Sequence, residues 1–174
     1  MRRDSRSGSA AIEFAIVAPV LFLFLFGIIE TGVLFFASAS LQNATDDTAR
    51  LIRTGQLTGT MTASTLKSYI CNEISGLISA SKCTANLQVD VRAFSSFSSA
   101  SYPSVTKPDG TVDTSQLTVQ STDSCDVVLI RSFYPWTIMT PLMTPLLENT
   151  ANGEYLLSAA AAFRAEPYVS GTSC

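Results

Sequence analysis

The chain has 174 residues, of which 47% are hydrophobic, and its formal net charge is −3. That length allows one membrane segment and one small domain of about 120 residues, and it excludes a second full domain. The acidic balance gives no support for nucleic-acid binding. Because the sequence has no histidine and no P-loop, G-x-G-x-x-G or G-x-S-x-G motif, we expect no enzyme, no cofactor, no metal and no small-molecule substrate.

Residues 1–8 form a charged leader in which Arg2, Arg3 and Arg6 face a single acid, Asp4. Short basic flanks are retained in the cytoplasm, so we expect the amino terminus inside and the rest of the chain outside the membrane. Removing this leader would lower the formal net charge from −3 to −5, because it carries three positive charges and one negative charge.

An apolar run from Phe14 to Ala39 follows the leader. At about 1.5 Å per residue it is long enough to cross a hydrocarbon core of roughly 30 Å. A cleaved secretory signal is the main alternative, but the apolar core of such a signal is only roughly 7 to 15 residues long. We predict a transmembrane helix that continues as an amphipathic stalk, together spanning residues 9–54.

Glu13 lies near the start of this span, where a carboxylate that faces lipid usually has a partner. A basic leader, then Gly8, then an apolar helix with Glu13 at its fifth position and Phe14 at its sixth is the layout of a type IV prepilin processing site. Cutting after Gly8 would make Ser9 a new amino terminus. Its positive charge would neutralise Glu13 of the same or a neighbouring helix inside the bilayer.

Glu30 is the second carboxylate of the span, and two interpretations of it stay open. It either faces a partner helix or snorkels in a thinned bilayer, or it makes a specific contact with another pilin or assembly protein. Glu13 and Glu30 are therefore the candidates for intramembrane partner contacts. Pro19 can kink the helix, while Gly27 and Gly32 allow close approach by another helix.

These residues also carry a family resemblance. The run from Arg2 to Val20 resembles the start of the TadE-like family, the pilin-like proteins of tight adherence (Tad/Flp) pilus systems. The resemblance continues through GIIETG at Gly27 to Gly32 and LQNATDDTAR at Leu41 to Arg50, and AAAFRAEPY at Ala160 to Tyr168 resembles the family's close. It implies a bacterial inner-membrane minor pilin or pseudopilin, needed for pilus assembly and cut by a membrane aspartyl peptidase, the prepilin peptidase. Its implied partners are other Tad pilins or pseudopilins and platform proteins.

Residues 55–174 should form the domain outside the membrane. Thr62 or Ser64 can cap a second helix that ends near residues 76–79. Its apolar stripe predicts core packing and consists of Leu66, Ile70, Ile74, Leu77 and Ile78. Alternation then predicts a half-buried strand over 87–92, and residues 95–124 have the composition of a long surface loop.

The strongest strand prediction is Asp126 to Tyr134, which should be central in the sheet and end at Pro135. The apolar, proline-broken segment 136–147 suits either a short core helix or an exposed patch that meets the membrane or a partner, and we favour the core. Residues 155–164 suit a helix or a strand, and the likeness to the family favours a strand.

The four cysteines, Cys71, Cys83, Cys125 and Cys174, all lie in this domain. An even number in an oxidising compartment favours disulfides, although some could be free buried thiols. Of the three possible pairings we favour Cys71 with Cys83, which closes a short loop, and Cys125 with Cys174, which ties down the carboxyl-terminal end.

The predicted fold is therefore α+β, with a long amino-terminal transmembrane helix that continues into a small extracytoplasmic domain with a helix and a three- or four-stranded, mostly antiparallel sheet. We expect a single-pass inner-membrane protein with a periplasmic domain that acts as a minor pilin or pseudopilin of the Tad pilus. An uncleaved inner-membrane scaffold of the same machinery is the alternative, and a secreted binding module would require loss of the whole apolar span.

Overall fold

The computed structural model describes residues 6–57, 59–140, 142–168 and 174. One long helix, α1, is followed by a small domain of short helices and a three-stranded antiparallel sheet. This architecture confirms the predicted α+β class. The elements are α1 (Arg6–Arg53), α2 (Ala63–Glu73), α3 (Ala80–Asn86), β1 (Gln88–Phe94), a 3-10 turn (Phe97–Ser99), β2 (Val127–Thr137), α4 (Thr144–Leu147) and β3 (Glu154–Arg164).

Helix α1 has two halves with opposite surroundings. Its amino-terminal half presents large apolar side chains outward, whereas its carboxyl-terminal half buries Leu34, Leu41 and Ile52 in the domain core. Small residues such as Ala37 and Ala44 line the buried face, which lets the helix lie close to the sheet. The sequence predicted the stalk within residues 9–54 and the domain over residues 55–174. In the structure, the stalk contributes one side of the domain's core.

The sheet has the order β1-β2-β3, so β2 is central, as the sequence predicted. Val91 pairs with Ile130, and Ile130 pairs with Ala161, in two antiparallel ladders. One face, with Ile130 and Tyr134, packs on the helices, while Phe133 on the other face meets Val105 from the long loop. The segment predicted as a surface loop thus covers the second face of the sheet.

Strand β2 does not end at Pro135, and that prediction was wrong. Pro135 pairs with Leu156 and the strand continues to Thr137. Strand β1 begins at Gln88, opposite Phe133, so the last part of β2 has a neighbour only on the β3 side. Proline is tolerated on such an edge, because an N–H that faces no strand is not needed in the ladder.

Helix α2 begins where the sequence predicted, because the hydroxyl of Thr62 accepts a hydrogen bond from the Thr65 N–H at 3.2 Å. The helix ends at Glu73, short of the predicted end at residues 76–79. A further short helix, α3, which the sequence did not predict, then carries Cys83 back to Cys71.

Two disulfides staple the domain, and they join the same pairs that the sequence favoured. Cys71 on α2 is bonded to Cys83 on α3, with 5.7 Å between their Cα atoms. Cys125, two residues before β2, is bonded to Cys174, with 5.4 Å between Cα atoms. The first bond closes a local loop of helices, and the second holds the carboxyl-terminal end of the sequence against the start of the central strand.

Residues 165–168 clasp the end of α1. The Glu166 N–H donates to the Arg53 carbonyl at 2.9 Å, and the side chains of Arg53 and Glu166 form an ion pair at 3.2 Å. The Tyr168 ring lies over Gly55, which has a φ of +74°. A Cβ atom at Gly55 would come within 2.6 Å of that ring. Position 55 therefore requires glycine both for its positive φ and for the space that the ring occupies.

Candidate membrane and processing site

Among the described residues, α1 is the one helix long and apolar enough to cross a membrane, from Ser9 to Arg53. The domain covers only one face of its amino-terminal half. Large apolar side chains are exposed on the other faces, including Phe14 (66% exposed), Phe24 (67%) and Ile28 (71%). An apolar surface of this extent on a monomer indicates contact with lipid or with other helices.

The predicted processing residues lie together at the start of this half. Helix α1 begins at Arg6, so the bond between Gly8 and Ser9 lies within its first turns. The Ser9 hydroxyl donates to the Glu13 carboxylate at 3.1 Å, and both side chains are exposed. Phe14 is also exposed. Among the described side chains, the carboxylate therefore has one local partner, and it has an open side on which another group can bind.

Glu30 is different, because it is buried, with 6% of its surface exposed, and its partners lie in its own chain. One carboxylate oxygen accepts the Met139 N–H at 3.2 Å. The other accepts the Thr140 N–H at 3.1 Å and the Thr140 hydroxyl at 2.9 Å. A contact of Glu30 with another pilin stays a prediction, but both oxygens are already occupied within this chain.

The partners of Glu30 belong to the first part of the connection between β2 and β3, residues 138–147, which we call the foot loop. Pro141 in this loop lies outside the described residues. The foot loop lies along α1: Met143 packs over Gly27, where an added Cβ atom would lie 3.1 Å from its terminal methyl group. Gly27 thus allows close approach, as predicted from the sequence, but to this loop and not to another helix.

The favoured core assignment of this segment was wrong for its outer side chains. Ile138 is buried, but Met139, Leu142 and Leu146 are 71%, 74% and 74% exposed. The sequence carries a signal of this arrangement, since residues 132–147 include no charged residue and contain the tandem repeat TPLM-TPLL. With two prolines and no charge, residues 138–147 make a poor core helix, but they suit an apolar loop.

A buried charge cluster holds the opposite face of the sheet together. Asp90 on β1 is fully buried and accepts hydrogen bonds from Arg131 Nη2 at 2.6 Å and from Arg92 Nε at 3.1 Å. The Thr118 N–H donates to the same carboxylate at 2.9 Å, which ties the long loop to the sheet. Burial raises the pKa of Asp90, but these hydrogen bonds outweigh it and hold that pKa below its usual value. The cluster therefore stabilises the packing of β1, β2 and the long loop.

A single apolar helix joined to a small, disulfide-stapled α+β domain defines a single-pass, membrane-anchored protein. The family model of TadE-like proteins matches residues 8–50, which confirms the resemblance for the membrane helix and the stalk. The match suggests a protein associated with the Tad pilus. No curated protein and no solved structure matches the chain.

Proposed function

We propose that this protein is a minor pilin or pseudopilin required for assembly of Tad (Flp, type IVc) pili, and that a prepilin peptidase cuts it after Gly8. The observation that carries the proposal is Glu13. It is an exposed carboxylate five residues after Gly8, on an uncovered apolar helix, within the residues that the TadE-like family model matches.

The exposed half of α1 supports this role physically. In the bilayer, lipid covers its apolar side chains, but the carboxylate of Glu13 near one end needs a polar partner. After cleavage the amino group of Ser9 would supply a positive charge, either in the same helix or from a neighbouring copy. Glu13 would thereby fix the register of the protein against another pilin during assembly.

The proposed topology follows from the charges. The basic leader stays in the cytoplasm by the positive-inside rule, so the domain lies in the periplasm. That compartment is oxidising, which agrees with the two disulfides in the domain and with none of the four cysteines being free. The domain would then contact other Tad pilins and the platform proteins outside the inner membrane.

An uncleaved inner-membrane scaffold is a second candidate, and one observation favours it. The Gly8–Ser9 bond lies inside α1, which begins at Arg6, and a peptidase must unwind a helix before it can bind the bond in its active site. In this alternative the leader stays attached, and the protein remains in the inner membrane as a fixed part of the assembly machinery.

The intact mass of the protein, purified from its native host without reducing agent, separates the two candidates. Loss of residues 1–8 supports processing as a prepilin, whereas a full-length mass supports the scaffold. A loss that reaches past Ala39 would contradict both. Gly8→Leu should block the cut, and Gly32→Leu, which changes a glycine remote from the bond, is the matched control and should be processed normally.

A further inference from the structure

We propose that the foot loop inserts from the outer side into the bilayer that α1 spans, so that Met139, Leu142 and Leu146 contact lipid. The protein would then be held by the full span of α1 and, beside it, by a loop that enters the bilayer without crossing it. This inference rests on the membrane anchoring of α1 and not on the proposed role in the pilus.

The position of the foot loop along α1 sets its depth. Leu142 lies beside Pro19 and Val20, and Leu146 lies beside Thr31 and Phe35. A span needs about 20 residues, so a hydrocarbon segment that starts at Ser9 ends near residue 28, and one that starts at Phe14 ends near residue 33. Leu142 then lies near the middle of the first segment and in the inner half of the second, whereas Leu146 lies at or just beyond the outer boundary of the hydrocarbon.

Most N–H groups of the foot loop have acceptors inside the protein. A backbone N–H in lipid must have a partner inside the protein. Glu30 accepts the N–H groups of Met139 and Thr140, and the N–H groups of Leu146 and Leu147 donate to the Met143 carbonyl at 3.0 Å. The two prolines of the loop have no N–H at all. Glu30 therefore supplies acceptors for two N–H groups of a non-helical segment that lipid could not satisfy.

The backbone conformation of Leu142 also supports contact of its side chain with lipid. Its φ is +70°, a left-handed backbone that a bulky residue rarely adopts, and its side chain is 74% exposed. A turn in water at this position would favour glycine or asparagine, which adopt that backbone at lower cost. An exposed leucine there is useful if its side chain is buried in lipid.

Lipid fits this surface better than a second protein chain does. A groove of about 550 Å³ between α1 and the foot loop is lined by residues of both, among them Phe24, Gly27, Ile28, Thr31, Phe35 and Leu146. Protein interfaces have a polar rim around an apolar centre. Here the apolar surface continues without such a rim from the groove onto the exposed faces of α1, as contact with acyl chains requires.

Tryptophan fluorescence in lipid nanodiscs tests the insertion. The chain has one tryptophan, Trp136, so Trp136→Phe gives a dark parent in which Leu142→Trp, Leu146→Trp and Phe97→Trp are made one at a time. Phe97 follows the end of β1, which pairs with Val127 at the far end of β2 from the foot loop, and its side chain is 57% exposed. It is the matched control outside the membrane.

With acyl-brominated phosphatidylethanolamine and phosphatidylglycerol, we expect several-fold stronger quenching at positions 142 and 146 than at position 97. Bromines near the bilayer centre should quench position 142 more than position 146. Aqueous iodide should instead quench position 97 more strongly than positions 142 and 146. Iodide quenching of positions 142 and 146 equal to that of position 97 would overturn the proposal. The proposal would also be overturned if neither brominated lipid nor iodide quenched positions 142 and 146, because a second copy would then cover the loop.

Two features keep this test independent of the pilus. The nanodisc contains neither peptidase nor other pilins, so a failure to insert is distinct from a failure of the proposed function. The two tryptophan positions lie in different local structures, Leu142 in the left-handed turn and Leu146 in α4. If Leu142→Trp fails to form both disulfides, Leu146→Trp alone gives the decisive comparison with Phe97→Trp.

Discussion

Thr140 donates two hydrogen bonds to one carboxylate oxygen of Glu30, although 110 residues of chain separate the two. Glu30 belongs to the helix that the membrane surrounds, and Thr140 belongs to the loop between the last two strands. The contact therefore fixes how the domain sits on its anchor. It also explains how a buried carboxylate is tolerated on this helix, since both of its oxygens are hydrogen-bonded.

Glu30→Leu should release the foot loop from α1. The change leaves the N–H groups of Met139 and Thr140 and one hydroxyl without an acceptor, and a hydrogen bond to a charged group contributes about 1.5–3 kcal/mol. We expect a lower melting temperature in detergent micelles and faster cleavage by thermolysin within the loop. Glu13→Leu is the matched control, because the carboxylate of Glu13 is exposed and should contribute little to folding. Equal effects of the two changes would contradict this assignment.

A pair of glycine substitutions tests the packing of the foot loop directly. A side chain at Gly27 meets Met143, whereas Gly32 has no atom within 4 Å of an added Cβ atom. Gly27→Leu should therefore displace Met143 and lower the stability of the domain by about 1–3 kcal/mol, the usual cost of overpacking. Gly32→Leu should cost nothing, because leucine favours helix over glycine. Thermal unfolding of both variants measures the difference.

The sequence predicted the elements whose signals are local. The apolar run of α1, the cap at Thr62 and the alternation in β2 each depend on a few neighbouring residues, and the structure has them. The partner of Glu30 could not be predicted, because the contact joins residues 110 apart and depends on the path of the whole domain. The extension of β2 through Pro135 was missed for a similar reason. It depends on where a different strand, β1, begins.

The two disulfides should contribute unequally to stability. Cross-linking acts mainly by restricting the unfolded chain, so its effect grows with the length of the closed loop. Cys71 and Cys83 are 12 residues apart, and Cys125 and Cys174 are 49 apart. Double replacement by serine should cost about 3 kcal/mol for the first pair and about 4 kcal/mol for the second. Denaturant unfolding compares the two variants, and a larger loss for the first pair would contradict the prediction.

The Asp90 cluster should make the domain sensitive to acid. The pKa of Asp90 is lower in the folded domain than in the unfolded chain, where an aspartate has a pKa of about 3.9. Its contribution is therefore fully present above that value and is lost as the pH falls through the lowered folded pKa. In Asp90→Asn, the free energy of unfolding measured with urea should depend less on pH between about pH 2 and 6.

Removing one partner of the same cluster should destabilise the domain more than breaking an exposed ion pair does. Arg131→Met leaves the buried carboxylate of Asp90 with only Arg92 and the Thr118 N–H, and breaking a buried ion pair costs about 3–5 kcal/mol. Arg53→Met breaks the exposed pair with Glu166 and should cost less than about 1 kcal/mol. A comparable loss in both variants would show that the cluster is no stronger than a surface pair.

Glu13→Gln should impair pilus assembly without harming the fold. The side chain is exposed and its one described contact is the Ser9 hydroxyl, so unfolding of the isolated protein should not change. In the host, loss of the charge should weaken association with other Tad pilins by roughly tenfold, the factor that corresponds to about 1.4 kcal/mol. Co-purification and counts of surface pili measure this, with Ser9→Ala as a control that keeps the carboxylate. If Glu13→Gln leaves both readouts unchanged, Glu13 does not fix the register between pilins.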